Sequence, residues 1–364
     1  MHFCVLTQEE SYRHYKKLYE NVKKSYTSFN GMDFFNLKLF KGDFLLLKNR
    51  FHCQVFALFK EKSPRILITH YKAIDKALGV EHSLGAVLVS SDISNEEILF
   101  FINNVQVILK EVTTKILYPL NAHLNLGFSL PALQTNPEAI TFLTSAGNQS
   151  VHKLLNAFQG GKIERRFYGM SYNVNHDPVY LEKIKHSIAE LPAGYTVERI
   201  SLFNYKKDIR DYNFIINESF KDHYAFFPLS FEEEWDLMKT ALLVINRDYF
   251  RFLSHQGKRV ALSLFFPDYN TCLKNGEDVR NLIRIFCHKA NLERVRGVNV
   301  AIIPEYRGKG LIKYVRNENL LKVIEDGVTT IESSYIDEGN INSQENVKST
   351  GAMPSHTFEL YSLN

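Results

Sequence analysis

The run Pro304-Glu305-Tyr306-Arg307-Gly308-Lys309-Gly310-Leu311 has the residue types and spacing to hold a diphosphate. Glycine at 308 and 310 lets the backbone adopt positive φ and approach an anion closely. If a helix begins just beyond, the amides from Gly308 to Ile312 point out of its N-terminus, where the dipole favours negative charge. Arg307 and Lys309 add positive charge, and a nest of this kind needs no metal. The competing reading is a strand-to-helix turn that happens to contain glycine.

Such a nest requires a strand before it and a helix after it, and the sequence supplies both. Gly297 to Ile303 is an apolar β-like run, and Leu311 to Asp326 has helical spacing. Upstream, a helix over Pro178 to Glu190 is closed by Leu191-Pro192-Ala193-Gly194, which reads as a boundary. Tyr195 to Ile200 then alternates like a strand, and Asp208 to Phe220 and Ser230 to Leu243 read as helices. Ser230 and Glu233 form a capping box for the second of them. Tyr249 to Ser254 and Arg259 to Phe266 flank the turn His255-Gln256-Gly257-Lys258 as a hairpin. Beyond the nest come a strand over Thr329 to Tyr335, a helix near Ile341 to Ser349 and a closing strand over Thr357 to Ser362.

The first half is patterned in the same way. Residues 7 to 29 read as a helix, followed by β-like runs at Asp43 to Leu47, His52 to Phe59, Arg65 to Tyr71 and Gly85 to Val89. Asp92 or Ser94 caps a helix that runs to about Glu111, and Lys115 to Tyr118 is a short strand. Where a second nest would fall, the chain reads Ser90-Ser91-Asp92-Ile93-Ser94-Asn95-Glu96-Glu97. Three acids and no glycine make a poor diphosphate site.

A chain of 364 residues suits two domains better than one. With 45% hydrophobic and 23% charged residues it has the composition of a folded soluble protein. The formal charge of +4 is small and spread out, which argues against a dedicated nucleic-acid binder. The four cysteines are far apart and form no CxxC pair, so neither a disulfide framework nor a zinc site is expected. No HExxH or G-x-S-x-G motif is present. No apolar run approaches the ~20 residues of a membrane span, and the N-terminus lacks the pattern of a signal peptide. These points favour a cytoplasmic protein with no stable membrane insertion.

The order strand, two helices, hairpin, strand, helix, strand, helix, strand over residues 195–364 resembles the GNAT acyltransferase fold from end to end. Phe226-Phe227-Pro228 through Leu264-Phe265-Phe266-Pro267-Asp268-Tyr269-Asn270 also resembles a bacterial family of tandem GNAT-like proteins with a degenerate first copy. Tyr118-Pro119-Leu120-Asn121 followed by Leu126-Gly127 resembles a marker of that copy. The resemblance implies an α/β protein of two GNAT-like domains in tandem, each a mixed, mostly antiparallel sheet flanked by helices. The expected division is 1–175, a linker helix at 176–194, and 195–364.

By the same resemblance, R/Q-x-x-G-x-G/A binds the coenzyme A pyrophosphate. Arg307 and Gly310 match, whereas Ile312 stands where Gly or Ala is usual. Gly308, Lys309 and Leu311 complete the cradle. The strand through Val300, Ile302 and Ile303 would pair with the pantetheine arm, with an amide near Ile302 receiving the oxyanion. Asn340, Ser343 and Gly351 fall in the register of the next GNAT motif, but Val347 replaces the Tyr that protonates the leaving thiolate in many relatives. Tyr335 and Tyr361 are the substitutes to weigh, against ordinary strand packing. Glu332 is the first candidate base, since acyl transfer needs a neutral amine; a rim charge is the equal alternative. Asp337 and Glu338 are runners-up. Phe226-Phe227-Pro228 with Trp235 reads either as a pocket floor or as core.

The expected activity is N-acyl transfer from acyl-CoA, or from an acyl carrier protein, to a small-molecule or lipid-like amine by direct attack in a ternary complex, without metal. The alternative is a catalytically inactive acyl-CoA-binding or regulatory module, which Ile312 and Val347 favour. A third option, an aminoacyl-tRNA-dependent transferase, requires a basic groove that the sequence does not display.

Overall fold

A computed structural model describes residues 1–22, 38–112, 114–127, 149–158, 161–201, 203–241, 244–273, 278–288 and 293–363. The chain begins with β1 (His2–Leu6), α1 (Gln8–Val22), α2 (Leu45–Arg50), β2 (Phe51–Lys60), β3 (Ser63–Ala73) and β4 (His82–Val89). Next come α3 (Asn95–Leu109), β5 (Ile116–Tyr118), α4 (Gln149–Asn156), β6 (Lys162–Asn173) and α5 (Pro178–Ala189). Then follow β7 (Tyr195–Arg199), α6 (Tyr205–Phe220), α7 (Phe231–Ala241), β8 (Phe250–His255), β9 (Lys258–Pro267) and α8 (Asp278–His288). The chain closes with β10 (Arg294–Ile302), α9 (Ile312–Glu325), β11 (Thr330–Ser333), β12 (Ile336–Asp337), α10 (Ile341–Lys348) and β13 (Met353–Leu363).

Two compact units result. The first comprises Met1–Phe167, Leu273–Asn281 and His356–Asn364, the second Tyr168–Cys272 and Leu282–Ser355. This partition differs from the division expected at 176–194. α5 belongs to the second unit because Ile184 packs with Leu320 and Val323 of α9, and Asn317 bonds Ser187. The last strand returns to the first unit because Tyr361 to Leu363 pair antiparallel with Tyr118 to Ile116.

In the first unit the strands lie in the order β1-β2-β3-β4-β5-β13, and only the β4–β5 pair is parallel. Val55 to Leu58 are fully buried, so both faces of β2 are covered and no in–out alternation survives there. The expected strand at Asp43 to Leu47 is not formed. Leu45, Leu46 and Leu47 open the helix α2, with Leu46 and Leu47 fully buried. A short apolar run carries no period that separates helix from strand. The expected helix over 7–29 is present to Val22, and 23–29 lie outside the described residues.

In the second unit the order is β6-β11-β10-β9-β8-β7, with β12 pairing β6. One face carries α9 and α5 over a core of Val174, Ile184, Phe265, Val295, Leu320, Val323 and Ile331. Asn319, fully buried on α9, donates to Tyr249 O, Ser263 O and Ser263 Oγ, which ties the helix to β9 in one register. The other face of β10 meets α6, where Asn299 Nδ2 donates to Tyr212 Oη at 2.7 Å.

The parallel pairing of β10 with β11 is short. It runs from Arg294↔Thr330 to Gly297↔Ser333 and ends with Ser334 N donating to Gly297 O at 2.7 Å. A bulge between Gly297 and Asn299 then redirects β10, which stays on β9 as far as Ile302. The chain after β11 instead reaches β6 through β12. The two strands therefore part, and β10 is left with one open edge.

Candidate functional site

The open edge leads directly into the turn between β10 and α9. Gly308 and Gly310 have φ of +74° and +66°, and a Cβ added at either would meet nothing within 4 Å. α9 begins without a side-chain cap. Tyr306 N donates to Ile303 O and Arg307 N to Pro304 O, closing a 3-10 turn. Among the described residues, none of the amides from Gly308 to Ile312 has an acceptor within the protein. Unsatisfied donors at a helix start, beside open space, form a site for a negative group.

Side chains hold this turn in place. Arg307 donates from Nη2 to Ser219 O at 2.7 Å and from Nε to Ile302 O at 3.3 Å. It thereby clamps the C-terminal end of α6, where helix carbonyls favour a cation, to the end of β10. Lys309 Nζ sits 5.1 Å from the Tyr306 ring centroid, and Tyr306 Oη lies 2.9 Å from His255 Nδ1. Leu311 is buried and anchors the turn, while Lys309 stays exposed.

Along β10 the amide of Ile303 donates to Val260 O, so it is spent on β9. Alternation then directs the amides of Val300 and Ile302 to the open edge. Of the three strand residues expected to meet a pantetheine arm, Val300 and Ile302 thus offer donors there and Ile303 does not.

The expected proton-transfer groups are dispersed. Glu332 is buried on β11 and 3.5 Å from Arg294 Nη2, with Arg294 also 3.6 Å from Asp268. Tyr335 lies beyond the end of β11, its ring 5.2 Å from the Arg296 guanidinium. Asn340 Oδ1 accepts from Ser343 N at 3.1 Å and caps α10, so these two groups are spent on each other. Val347 packs against Met170, Ile336 and Ala352 in an apolar cluster. Asp337 is buried and accepts from Gly339 N at 2.6 Å. Tyr361 belongs to the first unit, where it donates to Glu359 at 2.6 Å. Trp235 contacts the rings of Tyr205 and Phe231.

Two titratable groups of the second unit were not singled out from the sequence. His223 lies in the loop between α6 and α7, its ring edge-on to Phe220 at 4.7 Å. Burial pushes its pKa below the ordinary imidazole value; the charges acting on the ring are those of Asp337, Arg307 and Asp222. Glu234, on α7, is buried, and its Oε2 has no partner among the described residues. Burial, helped by neighbouring Glu233 and opposed by a hydrogen bond from Asn213, raises it from 4.5 to about 7. The capping box at Ser230 and Glu233 marked this segment as a helix start and nothing more.

Glu234 makes stability depend on pH. Between about 4.5 and about 7 the folded protein keeps a proton that the unfolded chain releases, so stability falls as pH rises through that window. Glu234→Gln is expected to gain on the wild type by up to roughly 3 kcal/mol between pH 5 and pH 8. Urea titrations at the two pH values measure this, and a difference that does not change with pH would contradict it.

The first unit places a strand, turn and helix in the same order, with a different outcome. Ser94 Oγ accepts from Glu97 N and Glu97 Oε2 from Ser94 N, a complete capping box on α3. Arg65 then bridges Glu97 at 2.9 Å and Asp92 at 2.8 Å, and also reaches Ser90 Oγ at 3.0 Å. The carboxylates of Glu97 and Asp92, with Arg65 between them, stand at this helix start.

No family model matches the chain, and no curated protein matches it. Solved structures do. A tandem GNAT protein from the clavulanic acid biosynthesis pathway aligns with a TM-score of 0.54 at 12% identity, over 100% of this chain and 98% of that one. A conserved protein of Enterococcus faecalis, described as a probable N-acyltransferase, gives 0.53 at 9% identity over 99% of this chain and 71% of its own. The GCN5-related glucosamine N-acetyltransferase region of a fungal multi-domain β-N-acetylglucosaminidase gives 0.52 at 11% identity, over 100% of this chain and 38% of that one. At such identities the likeness is one of fold. The chain has the fold of GCN5-related N-acetyltransferases, with two GNAT-like units in tandem.

Proposed function

We propose that the second unit transfers an acyl group from acyl-CoA to an amine, and that the first unit binds no coenzyme A. The observation that carries this reading is the row of unspent amides from Gly308 to Ile312, continuous with the open edge of β10. The amides of Val300 and Ile302 would hold the pantetheine arm and the oxyanion, donors of a kind worth about 3 kcal/mol each in a transition state. The amine attacks the thioester carbonyl, the C–N bond forms, the C–S bond breaks, and the amine proton leaves to a base. Arg65 with its carboxylates supports the silence of the first unit, because Glu97 already takes the Ser94 amide and two carboxylates stand where a diphosphate would have to bind.

A second reading, a binding or regulatory module without catalysis, is favoured by Val347 in its apolar cluster, where a phenol would be needed as acid. Thermal unfolding with acetyl-CoA, palmitoyl-CoA and free CoA separates the readings when combined with thiol release in an amine screen. Ligand at ~100 times its dissociation constant stabilises a fold by about 2.7 kcal/mol. Stabilisation with amine-dependent thiol release supports transfer, and stabilisation without it supports the module. No response to any CoA species, alongside a response to acyl carrier protein, makes the carrier protein the donor.

A further inference from the structure

The residues that the sequence put first leave the transfer reaction without an evident proton carrier. Val347 has no ionisable group, Glu332 is held against Arg294, and Tyr335 lies under Arg296. Resting on the acyl-transfer reading above, we infer that His223 takes the proton from the attacking amine and passes it to the leaving thiolate.

The placement of the loop carries this assignment. Arg307 bonds Ser219 O at the end of α6 and Ile302 O at the end of β10, so the residues that follow α6 are fixed beside the open edge. His223 N donates to Phe220 O and Phe226 N to His223 O, which makes the loop a tight turn rather than a free arm. Arg307 follows β10 and Asp337 ends β12, and the charges of both act on the His223 ring. The loop that carries the ring is thereby held near the end of β10, beyond the point where its pairing with β11 stops. Among the described residues neither ring nitrogen has a hydrogen-bond partner, and the nearby Ser219 Oγ is also buried without one. Unspent polar groups of this kind are available to a bound molecule.

The protonation state fits the task. Burial is the largest influence on the ring and keeps it neutral at pH 7, Arg307 acts in the same direction, and Asp337 and Asp222 oppose them. Neutral imidazole accepts a proton from the nitrogen as the C–N bond forms. The imidazolium then gives it to sulfur as the C–S bond breaks. The balance is amine plus thioester to amide plus thiol, with no further reactant. The step fails when the ring is already protonated, so the rate should fall on the acid side of a pKa below the ordinary imidazole value.

The test compares wild type, His223→Gln and His223→Ala. Acetyl-CoA binding is measured by calorimetry, and amine-dependent thiol release is followed from pH 5 to 9. Both variants are expected to bind acetyl-CoA within about threefold of wild type, while kcat falls on the order of 100- to 10,000-fold. The acid limb should disappear in His223→Gln, and added imidazole should restore part of the rate of His223→Ala. Unchanged kcat and pH profile in His223→Gln overturn the assignment and leave the acyl-transfer reading standing. A wild type that binds no acetyl-CoA overturns both. If wild type binds acetyl-CoA but transfers to no amine tested, the histidine ring resonances decide. The resonance lost in His223→Gln must move when acetyl-CoA is added, and a resonance that stays in place overturns the assignment.

Discussion

Replacing Gly310 by Asp should weaken acetyl-CoA binding at least about 100-fold, close to 2.7 kcal/mol, while leaving the protein folded. Two effects act together at this position. The φ of +66° strains any residue with a Cβ, at a cost of order 1 kcal/mol. The larger effect is electrostatic, since a carboxylate beside the amides of 308–312 would occupy the donors that a diphosphate needs. Because nothing lies within 4 Å of the added Cβ, crowding inside the protein contributes little.

The strain term has its own control. Gly257, in the turn between β8 and β9, has a φ of +78° and equally open space. Gly257→Asp should lose similar stability and keep its affinity for acetyl-CoA. Calorimetric titration of the two variants separates the terms. If Gly310→Asp binds like wild type, the diphosphate does not sit on this turn and the cofactor assignment is lost.

The legibility of this turn in the sequence has a local cause. Two glycines, an arginine and the start of a helix fall within a few residues, so their geometry is decided by the segment itself. The same holds for the hairpin at Gln256 and Gly257 and for the capped helices at Ser94 and Ser230. What depends on distant partners was not legible. The parting of β10 from β11 follows from a bulge at Gly297 and Asn299 and from the pairing of β12 with β6. β6 itself, Lys162–Asn173, carries enough charge to hide its strand character. His223 acquires its surroundings only when Arg307 draws the end of α6 to β10.

One residue type can also serve two purposes. Asn340 and Ser343 have the register of a ligand-binding pair, and in the structure that register makes an N-cap. Glu332 reads in the sequence as a candidate base or a rim charge, and in the structure Arg294 is there to meet it. A sequence reveals which face a carboxylate takes and not which cation will face it.

Arg65→Met should destabilise the first unit by about 3 to 5 kcal/mol without changing the stabilisation that acetyl-CoA confers. Arg65 reaches Glu97, whose side chain is 3% exposed, and Asp92, whose side chain is 74% exposed. The exposed partner keeps its water when Arg65 is removed and loses little. Glu97 is left buried with the Ser94 amide, and that stranded charge accounts for most of the loss. The pH dependence should change as well. Burial acts to raise the Glu97 pKa, yet the bonds from Arg65 and Ser94 outweigh it and hold the value below the ordinary carboxylate range. Such a group stabilises the fold above its unfolded pKa, and that stability is lost as pH falls through the folded value. Removing Arg65 removes its share of the lowering and flattens the acid slope. Arg65→Met combined with Glu97→Gln should recover much of the lost stability, since no buried charge remains unpaired. Hydrogen exchange at β3 and α3 localises the loss to the first unit, and calorimetry with acetyl-CoA reports on the second. A change in acetyl-CoA affinity on replacing Arg65 would mean that the ligand contacts the α3 start after all, and the claim that coenzyme A is read by the second unit alone would have to be withdrawn.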